Sequence, residues 1–423
     1  ENLSSGDILI VAGKGHENYQ EYVNRKYFSD KECILKNIKL RNKGLYADWK
    51  KNIIKEKIKK INFKYKKIIN NASINSKEIK KNDIFFGIKG KNVDGNKFAD
   101  HAIKEGASLS IIDKKYGKNN KKKIKVKSSL KFFSKCSNLI RVSSDISSIA
   151  ITGSSGKTSL KEMLGKSLNK IYPTTYSVKS YNNKYGVPIS LFNINKRDKF
   201  GVFEVGMNKF NEINKLSSIV KPNIGIITNI SEAHLENFRN IKDIAKAKGE
   251  IIYNIQKGGS IILNRDDKFF NYFKKIAEKN KIKVRSFGYS KKSDIKFSGF
   301  RKVHRSFILR ISVDKKSVLL KVNNNNKSYI MNILCCVAIL QELNLSLDKV
   351  KNFFKNQAFL KGRGKINKVN KFNKSFFLID ESYNANPLSV KSAIENFSNI
   401  KKNGKRKYFL FGDMLELGKN SNI

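Results

Sequence analysis

The chain has 423 residues, of which 87 are Lys or Arg and 35 are Asp or Glu, so its formal net charge at pH 7 is +52. This length predicts about two to four domains, and the 39% of hydrophobic residues is enough for packed cores, which excludes a wholly disordered chain. No apolar run is long enough for a transmembrane helix, because the longest, residues 330–340, is interrupted by Asn332.

The positive charge does not by itself identify a partner. Only 12 of the 87 basic residues are Arg, whereas proteins that read bases or clamp phosphates favour the bidentate Arg side chain. Lys occurs together with abundant Asn and Ile, a bias typical of an AT-rich genome. The cysteines Cys33, Cys136, Cys335 and Cys336 have neither paired metal-binding spacing nor a disulfide framework. We therefore expect a protein of the reducing cytoplasm that binds no nucleic acid.

The first part of the chain is predicted to be the end of one domain followed by a linker. Residues 7–12 (DILIVA) have the composition of a buried strand, and a single strand needs neighbours to be stable. We therefore assign residues 1–35 to the end of a domain whose body lies upstream. The Lys-rich residues 36–62 follow as a linker.

Residues 63–145 are predicted to form a small α/β domain. A strand is predicted at residues 84–90, and a helical pattern begins at Phe98. Residues 114–127 are rich in Lys and are expected to form an exposed basic loop.

Residues 146–358 are predicted to form a mostly parallel sheet covered by helices, because short apolar strands alternate there with helical patterns. The predicted strands are residues 148–151, 202–205, 224–228 and 260–264. A β-rich segment at 294–322 and a helix at 329–343 complete this domain.

Residues 359–423 begin a third α/β unit. Strands are predicted at 376–379 and 408–411, on either side of a helix. Two parallel strands and one helix cannot cover a sheet, so we interpret this unit as a truncated Rossmann-like domain. The whole chain is assigned to the α/β class.

The strongest chemical signal is GSSGKT at residues 153–158, between a predicted strand and a predicted helix. Glycines let backbone amides turn toward phosphate oxygens, and the helix N-terminus adds a positive dipole. Lys157 is expected to reach the terminal phosphates of ATP, and the Thr158 hydroxyl to bind Mg²⁺. The general GxxxxGK[ST] pattern is not met, since Ile151 stands at the position of its first glycine.

Two further residues are candidate metal ligands. Glu204 lies in an apolar strand near the edge where α/β sheets place ligands, and a carboxylate in such surroundings is costly unless a cation pairs with it. His234 follows the predicted strand 224–228 by six residues and is expected at the same edge. A histidine there is either structural or a metal ligand.

Lys248 lies on the apolar face of a predicted helix, seven residues after Ile241. A lysine in this position can extend its amine to solvent. If Lys248 is buried instead, its pKa falls and the neutral amine can react with CO₂. The resulting carbamate would be an anion able to hold a second Mg²⁺.

Seven sequence motifs occur in order along the chain. They are TGSSGKTS (152–159), NNKYGVP (182–188), FEVGMN (203–208), TNISEAHLENF (228–238), AKAKGEI (245–251), DESYNANP (380–387) and GDMLELG (412–418). Together they closely resemble the Mur ligases of peptidoglycan synthesis, and the last two resemble the members that add D-alanyl-D-alanine. Residues 1–35 resemble the C-terminal tail of the MurE ligases, so we expect a fragment of a fusion with MurE.

This resemblance implies three α/β domains and an ATP-dependent amide ligase. The tripeptide carboxylate of UDP-MurNAc-tripeptide would attack ATP to form an acyl phosphate, and the amine of D-Ala-D-Ala would then displace phosphate. The resemblance implies two Mg²⁺ ions, one held by Thr158 and Glu204 and the other positioned by His234 and carbamylated Lys248. We expect a monomer.

The resemblance also assigns binding residues by position. For ATP these are Gly153, Ser154, Ser155, Gly156, Lys157, Thr158, Ser159, Asn264, Asn332, Arg363 and Asp380. For the substrates they are Ser76, Lys77, Asn182, Asn183, Asn384 and Asn386. Lys77 stands where the family usually has Arg, and Ser328 where it usually has His.

Three other functions remain open from the sequence alone. Another Mur-type ligase or a folylpolyglutamate synthetase would share the phosphate loop and the lysine. A nucleic-acid-binding P-loop protein would use the charge, although no basic stripe with interleaved aromatic residues occurs. A catalytically inactive scaffold is the third, and the complete set of Lys157, Glu204, His234 and Lys248 argues against it.

Overall fold

The structure is a computed structural model that describes residues 19–20, 26–27, 49–57, 69–116, 121–232, 235–304, 306–356, 360–371, 374–400 and 406–414. The chain divides into two compact units, Glu1–Val126 and Lys127–Ile423. Among the described residues, no helix combines the length and hydropathy that a membrane span requires. The strand predicted at 7–12 lies outside the described residues.

The described part of the first unit is centred on a small parallel sheet. Its first elements are the antiparallel strands β1 (Tyr19–Gln20) and β2 (Lys26–Tyr27) and the helix α1 (Trp49–Lys57). The sheet has the order β3 (Ala72–Ser73), β4 (Ile84–Phe86), β5 (Leu109–Asp113) and β6 (Lys123–Val126). Helix α2 (Ala99–Lys104) packs Ala102 against Phe85 of β4.

Strand β6 corrects one expectation. The sequence predicts an exposed loop over residues 114–127, whereas the end of this segment is an edge strand of the sheet. Ile124 is buried and pairs with Ile111 of β5. The lysines on either side are typical of edge strands, because they discourage pairing with further chains.

The second unit is built on a nine-stranded sheet. Its strands are β7 (Ser147–Thr152), β8 (Thr174–Tyr176), β9 (Phe200–Glu204), β10 (Ile224–Ile227), β11 (Ser260–Asn264), β12 (Lys283–Gly288), β13 (Ile295–Val303), β14 (Ser306–Val313) and β15 (Lys316–Val322). Their order is β15-β14-β13-β12-β11-β10-β7-β9-β8. Neighbours from β8 to β13 are parallel, and β13 to β15 form an antiparallel meander. The predicted parallel sheet and β-rich segment are confirmed.

Helices cover this sheet. They are α3 (Ser129–Val142), α4 (Lys157–Leu168), α5 (Gly186–Phe192), α6 (Glu212–Val220), α7 (Ile241–Gly249), α8 (Phe270–Lys279), α9 (Lys327–Glu342) and α10 (Lys351–Asn356). Helix α9 is apolar on every face, and its residues 333–340 are all buried. Leu160 and Leu164 of α4 pack into the same core as α9 and the central strands. The helix that begins with the phosphate loop is therefore fixed by its apolar side.

The last described elements form a hairpin and a helix. Strands β16 (Lys365–Lys371) and β17 (Lys374–Asp380) pair antiparallel, and helix α11 (Pro387–Ser398) follows. The sequence predicts a parallel arrangement with a second strand at 408–411, but these residues have no regular structure and Leu410 is 94% exposed. An apolar segment forms a strand only where a neighbouring strand is available for pairing.

Helix α3 is attached to the second unit by a buried arginine. Arg141 donates from Nε to the carbonyl of Val220 at 2.7 Å and from Nη2 to the carbonyl of Lys221 at 2.9 Å. These carbonyls end helix α6 and carry its negative partial charge. Burial lowers the pKa of Arg141 to about 10, so the side chain stays charged at neutral pH. This contact places α3 with the second unit, although the predicted domain boundary lies after it.

We expect Arg141→Met to lower the free energy of unfolding by about 2–4 kcal/mol, because it leaves buried carbonyls without their donor. Denaturant unfolding followed by circular dichroism measures the change. Lys135→Met, on the exposed side of the same helix, is the matched control and should change stability by less than about 0.5 kcal/mol. Equal stability of the two variants would contradict the anchoring role.

Candidate active site

The phosphate loop follows strand β7 and requires glycine at two positions. Gly153 has φ +146° and Gly156 has φ +80°, conformations that other residues rarely adopt. A Cβ atom on Gly153 would also lie 1.9 Å from Oγ1 of Thr228. Helix α4 begins directly after Gly156, at Lys157. The loop thus has the strand–loop–helix setting of a phosphate site, as predicted, despite its short form.

The segment that follows β10 holds this loop in place. Thr228 Oγ1 donates to the carbonyl of Ser155 at 2.7 Å, and the Ser155 amide donates to Asn229 Oδ1 at 3.0 Å. The amide of Ser231 donates to Ser154 Oγ at 2.9 Å. The sequence pattern does not indicate these roles, because the contacts exist only when β10 lies beside β7 in the sheet.

Lys157 lies across the phosphate loop. Its Nζ donates to the carbonyl of Gly153 at 2.7 Å and to that of Ser154 at 3.4 Å. The ammonium group is therefore held at the loop, next to the N-terminus of α4. A helix N-terminus and a lysine together form a positively polarised site for phosphate oxygens.

Thr158 and Glu204 form the core of a possible metal site. Thr158 Oγ1 donates to Glu204 Oε2 at 2.8 Å, and Asn182 Nδ2 donates to Glu204 Oε1 at 2.8 Å. Glu204 is 1% exposed. Both of these donors are neutral, so they do not compensate the negative charge of a buried carboxylate, whereas a bound cation would. Hydroxyl and carboxylate oxygens are the ligands that Mg²⁺ prefers, and the donor set therefore fits this ion.

The Thr158 hydroxyl has two further neighbours from distant parts of the chain. Ser180 Oγ lies 3.1 Å from Thr158 Oγ1, and Arg363 Nη2 donates to the same oxygen at 3.1 Å. Tyr383 links them, since its hydroxyl donates to Ser180 Oγ at 2.6 Å and its ring lies 4.0 Å from the guanidinium of Arg363. Arg363 was expected at the nucleotide, whereas the sequence does not indicate a role for Ser180.

Lys248 lies on helix α7 and is only 1% exposed, so of the two alternatives that the sequence leaves open the structure has the buried one. Burial first, and then the positive charge of Lys157, lower the pKa of Lys248 well below its ordinary value. The shift is in the direction of the neutral amine, which is the nucleophilic form. His234 lies outside the described residues. Among the described ones, no three His, Cys, Asp or Glu side chains form a metal-binding cluster.

Two predicted nucleotide-binding residues lie near the phosphate loop. Asn332 Oδ1 of α9 is 3.8 Å from the position that a Cβ on Gly156 would take. Asn264, at the end of β11, donates from Nδ2 to the carbonyl of Thr228 at 3.2 Å. Ser159 lies in the first turn of α4. Asn264 and Asn332 therefore lie on the side of the loop that faces β11 and α9.

Asn183 and Asn386 each lie just before a helix and accept hydrogen bonds from amides at or near its start. Asn183 Oδ1 accepts from the amides of Tyr185 and Gly186, at the start of α5. Asn386 caps helix α11 through the amide of Ser389 at 2.9 Å. Both asparagines therefore have a structural task that is independent of any substrate.

Four predicted residues remain, Asp380 and Asn384 in the C-terminal segment and Ser76 and Lys77 in the first unit. Asp380 accepts the amide of Gly362 at 2.9 Å and thereby fixes the turn that carries Arg363; hydrogen bonds from Ser382 lower its pKa. Asn384 is exposed. In the first unit, Ser76 is buried and Lys77 is exposed, both in a single helical turn.

Family models and known proteins agree with this arrangement. The Mur ligase middle domain matches residues 151–340, and the Mur ligase family catalytic domain matches residues 68–139. The UDP-N-acetylmuramoyl-tripeptide–D-alanyl-D-alanine ligase of Rickettsia prowazekii is 34% identical over 354 residues, which are 83% of this chain and 77% of that protein.

Solved structures show the same fold. MurF from Acinetobacter baumannii superimposes with a TM-score of 0.71 at 26% identity and covers 83% of this chain and 75% of its own. MurF ligase from Thermotoga maritima in complex with ADP gives a TM-score of 0.69 at 24% identity, over 83% of this chain and 79% of its own. The chain therefore belongs to the Mur ligase family, among the UDP-N-acetylmuramoyl-tripeptide–D-alanyl-D-alanine ligases.

Proposed function

We propose that this ATP-dependent ligase joins D-alanyl-D-alanine to UDP-N-acetylmuramoyl-tripeptide in the synthesis of the peptidoglycan precursor. The Rickettsia relative is named for this reaction. The observation that carries the proposal within the chain is the contact of Thr158 with buried Glu204 beside the phosphate loop. It combines phosphate-binding and cation-binding groups at one edge of the sheet.

ATP is held by its phosphates in the loop of residues 153–159. Backbone amides at the start of α4 and the ammonium of Lys157 compensate the negative charge of the β- and γ-phosphates. Asn264 and Asn332 approach from β11 and α9 and contact the nucleotide. Arg363 and Asp380 act from the C-terminal segment, where Asp380 holds the turn of Arg363.

Thr158 and Glu204 would provide the oxygen ligands for one Mg²⁺, and His234 with a carbamate on Lys248 would position a second. Bound Mg²⁺ neutralises phosphate oxygens and thereby favours attack by an anionic nucleophile. The burial of Lys248 and the lowering of its pKa by that burial support the carbamate. Its neutral nitrogen forms a bond to the carbon of CO₂ and releases a proton, which leaves one negative charge on the carbamate oxygens.

The reaction proceeds in two steps. The tripeptide carboxylate attacks the γ-phosphorus, the bond to the β-phosphate oxygen breaks, and ADP leaves an acyl phosphate behind. The amine of D-alanyl-D-alanine then attacks the acyl carbon, and phosphate departs as the amide forms and the nitrogen loses a proton. The family resemblance assigns substrate contacts to Asn182, Asn183, Asn384 and Asn386 and, in the first unit, to Ser76 and Lys77.

The setting of the protein is part of the proposal. We infer that it is a monomer and that it acts in the cytoplasm, because the precursor nucleotide and ATP are cytoplasmic metabolites. The resemblance of residues 1–35 to a MurE tail supports fusion to that ligase.

The direct test measures ADP release by the full-length protein with UDP-MurNAc-tripeptide and different acceptors. Release that requires both the tripeptide substrate and the D-Ala-D-Ala dipeptide is expected. Free D-Ala and diaminopimelate serve as control acceptors and should leave release at its background rate. Release with another acceptor only would retain a ligase but reject this substrate.

We expect Glu204→Gln to lower Mg²⁺-dependent turnover by about a hundredfold or more, because the amide keeps the shape but loses the charge that holds the cation. The measurement is ADP release as a function of Mg²⁺ concentration. Glu278→Gln, an exposed carboxylate on helix α8, is the control. A Glu204→Gln enzyme with the wild-type rate would remove Glu204 from the metal site.

We expect Lys248→Ala to reduce turnover by about a hundredfold or more, because the anion that positions the second cation is lost. Added acetate or formate should restore part of the rate, since either can supply a carboxylate in the space left by the side chain. Lys246→Ala removes an exposed lysine of the same helix and should be neutral. Unchanged turnover in Lys248→Ala would exclude the carbamate role, whereas a loss that no carboxylate rescues would leave Lys248 with a role other than carbamate formation.

A further inference from the structure

Lys161 is a second buried lysine near the site, and the reaction described above does not use it. It lies on helix α4, four residues after Lys157, and its exposure is 0%. Its Nζ donates to the carbonyl of Ser177 at 2.6 Å and to that of Lys179 at 2.8 Å, and it pairs with Glu162 Oε1 at 2.7 Å. Burying an ammonium group has a large desolvation cost, so its partners need to be in good geometry.

The two carbonyls belong to one loop, residues 177–182, which connects β8 to the region before α5. Lys179 has φ +51°, in the left-handed region that residues other than glycine rarely adopt. The turn brings the carbonyls of Ser177 and Lys179 onto one ammonium group. Lys161 gives both carbonyls a charge-assisted hydrogen bond, in addition to the backbone hydrogen bonds of Ser177 with Val202 and of Tyr181 with Val178 that also hold the loop.

The same loop supplies the groups that contact the metal-binding pair. Ser180 Oγ lies 3.1 Å from Thr158 Oγ1, and Asn182 Nδ2 lies 2.8 Å from Glu204 Oε1. Ser177 Oγ also accepts the backbone amide of Glu204 at 3.2 Å. The hydroxyl and the carboxylate therefore contact a loop that Lys161 holds through two of its carbonyls.

We propose that Lys161 is a positioning residue for the metal-binding pair Thr158 and Glu204. It acts through the 177–182 loop, and it touches neither ATP nor the peptide substrates. This inference rests on the proposed function, because it needs a cation at the pair. Groups that orient metal ligands commonly change metal affinity or activity by about 10–100-fold when they are removed.

Helix α4 offers a matched control. Lys166 lies five residues further along and pairs with the other oxygen of Glu162, Oε2, at 3.4 Å. Its side chain is 47% exposed, and its ion pair with Glu162 does not involve the 177–182 loop. Lys166→Met therefore removes a lysine and a Glu162 partner from the same helix but leaves the loop carbonyls with their donor.

The experiment measures ADP binding to the full-length protein by calorimetry, without Mg²⁺ and at increasing Mg²⁺ concentrations. Lys161→Met should raise the Mg²⁺ concentration for half-maximal stimulation of binding about tenfold, while ADP binding without Mg²⁺ stays at the wild-type level. Lys166→Met should behave as the wild type. A wild-type Mg²⁺ response in Lys161→Met would overturn the inference, and so would equal weakening with and without Mg²⁺.

Two further variants keep the outcome interpretable. If Lys161→Met does not fold, Lys161→Arg replaces it, because Arg keeps the charge but changes the geometry toward the two carbonyls; a wild-type Mg²⁺ response of this variant overturns the inference. Glu204→Gln should abolish the Mg²⁺ response. If Glu204→Gln keeps the Mg²⁺ response, the proposed metal site itself is rejected. If Glu204→Gln loses the Mg²⁺ response and the Lys161 variant keeps it, only the role of Lys161 is rejected.

Discussion

The site depends on the parallel pairing of strand β7 with both β9 and β10. Ile151 pairs with Glu204, and Thr152 pairs with Ile227, so the three strands end at one level. Because parallel strands have their carboxyl ends at the same edge, the phosphate loop, Glu204 and Thr228 meet there. A shift of one residue in the register of β9 would turn the Glu204 side chain to the other face of the sheet. The chemistry of the site is thus a consequence of strand register.

Three buried ionisable side chains accompany this arrangement, and the protein accommodates each in a different way. Glu204 receives hydrogen bonds from Thr158 and Asn182. Lys161 is matched by two loop carbonyls and by an acidic neighbour. For Lys248, burial and the charge of Lys157 lower the pKa. Such groups oppose stability, and the apolar contacts of α4 and α9 with the central strands offset that cost.

Local signals in the sequence are sufficient to predict part of the site. The phosphate loop is recognisable because its glycines are needed for backbone conformation, and Lys248 because helical periodicity places it on an apolar face. Thr228, Asn229 and Ser180 carry no such signal, since their contacts with the loop and with Thr158 depend on the strand order and on a loop turn. At residues 408–411 the local signal is misleading. Their apolar composition predicts a strand, but a strand also needs a neighbouring strand with which to pair.

The Thr158 hydroxyl oxygen contacts residues from two distant parts of the second unit, the 177–182 loop and the C-terminal segment. A hydroxyl has one hydrogen and two lone pairs, and Thr158 donates its hydrogen to Glu204. Ser180 accepts from Tyr383, so it can give its own hydrogen to Thr158, which also accepts from Arg363. All three positions of the hydroxyl are then occupied. A cation that binds this oxygen must replace one of the two donors, and cation binding is therefore coupled to the contacts of the 177–182 loop or of the C-terminal segment.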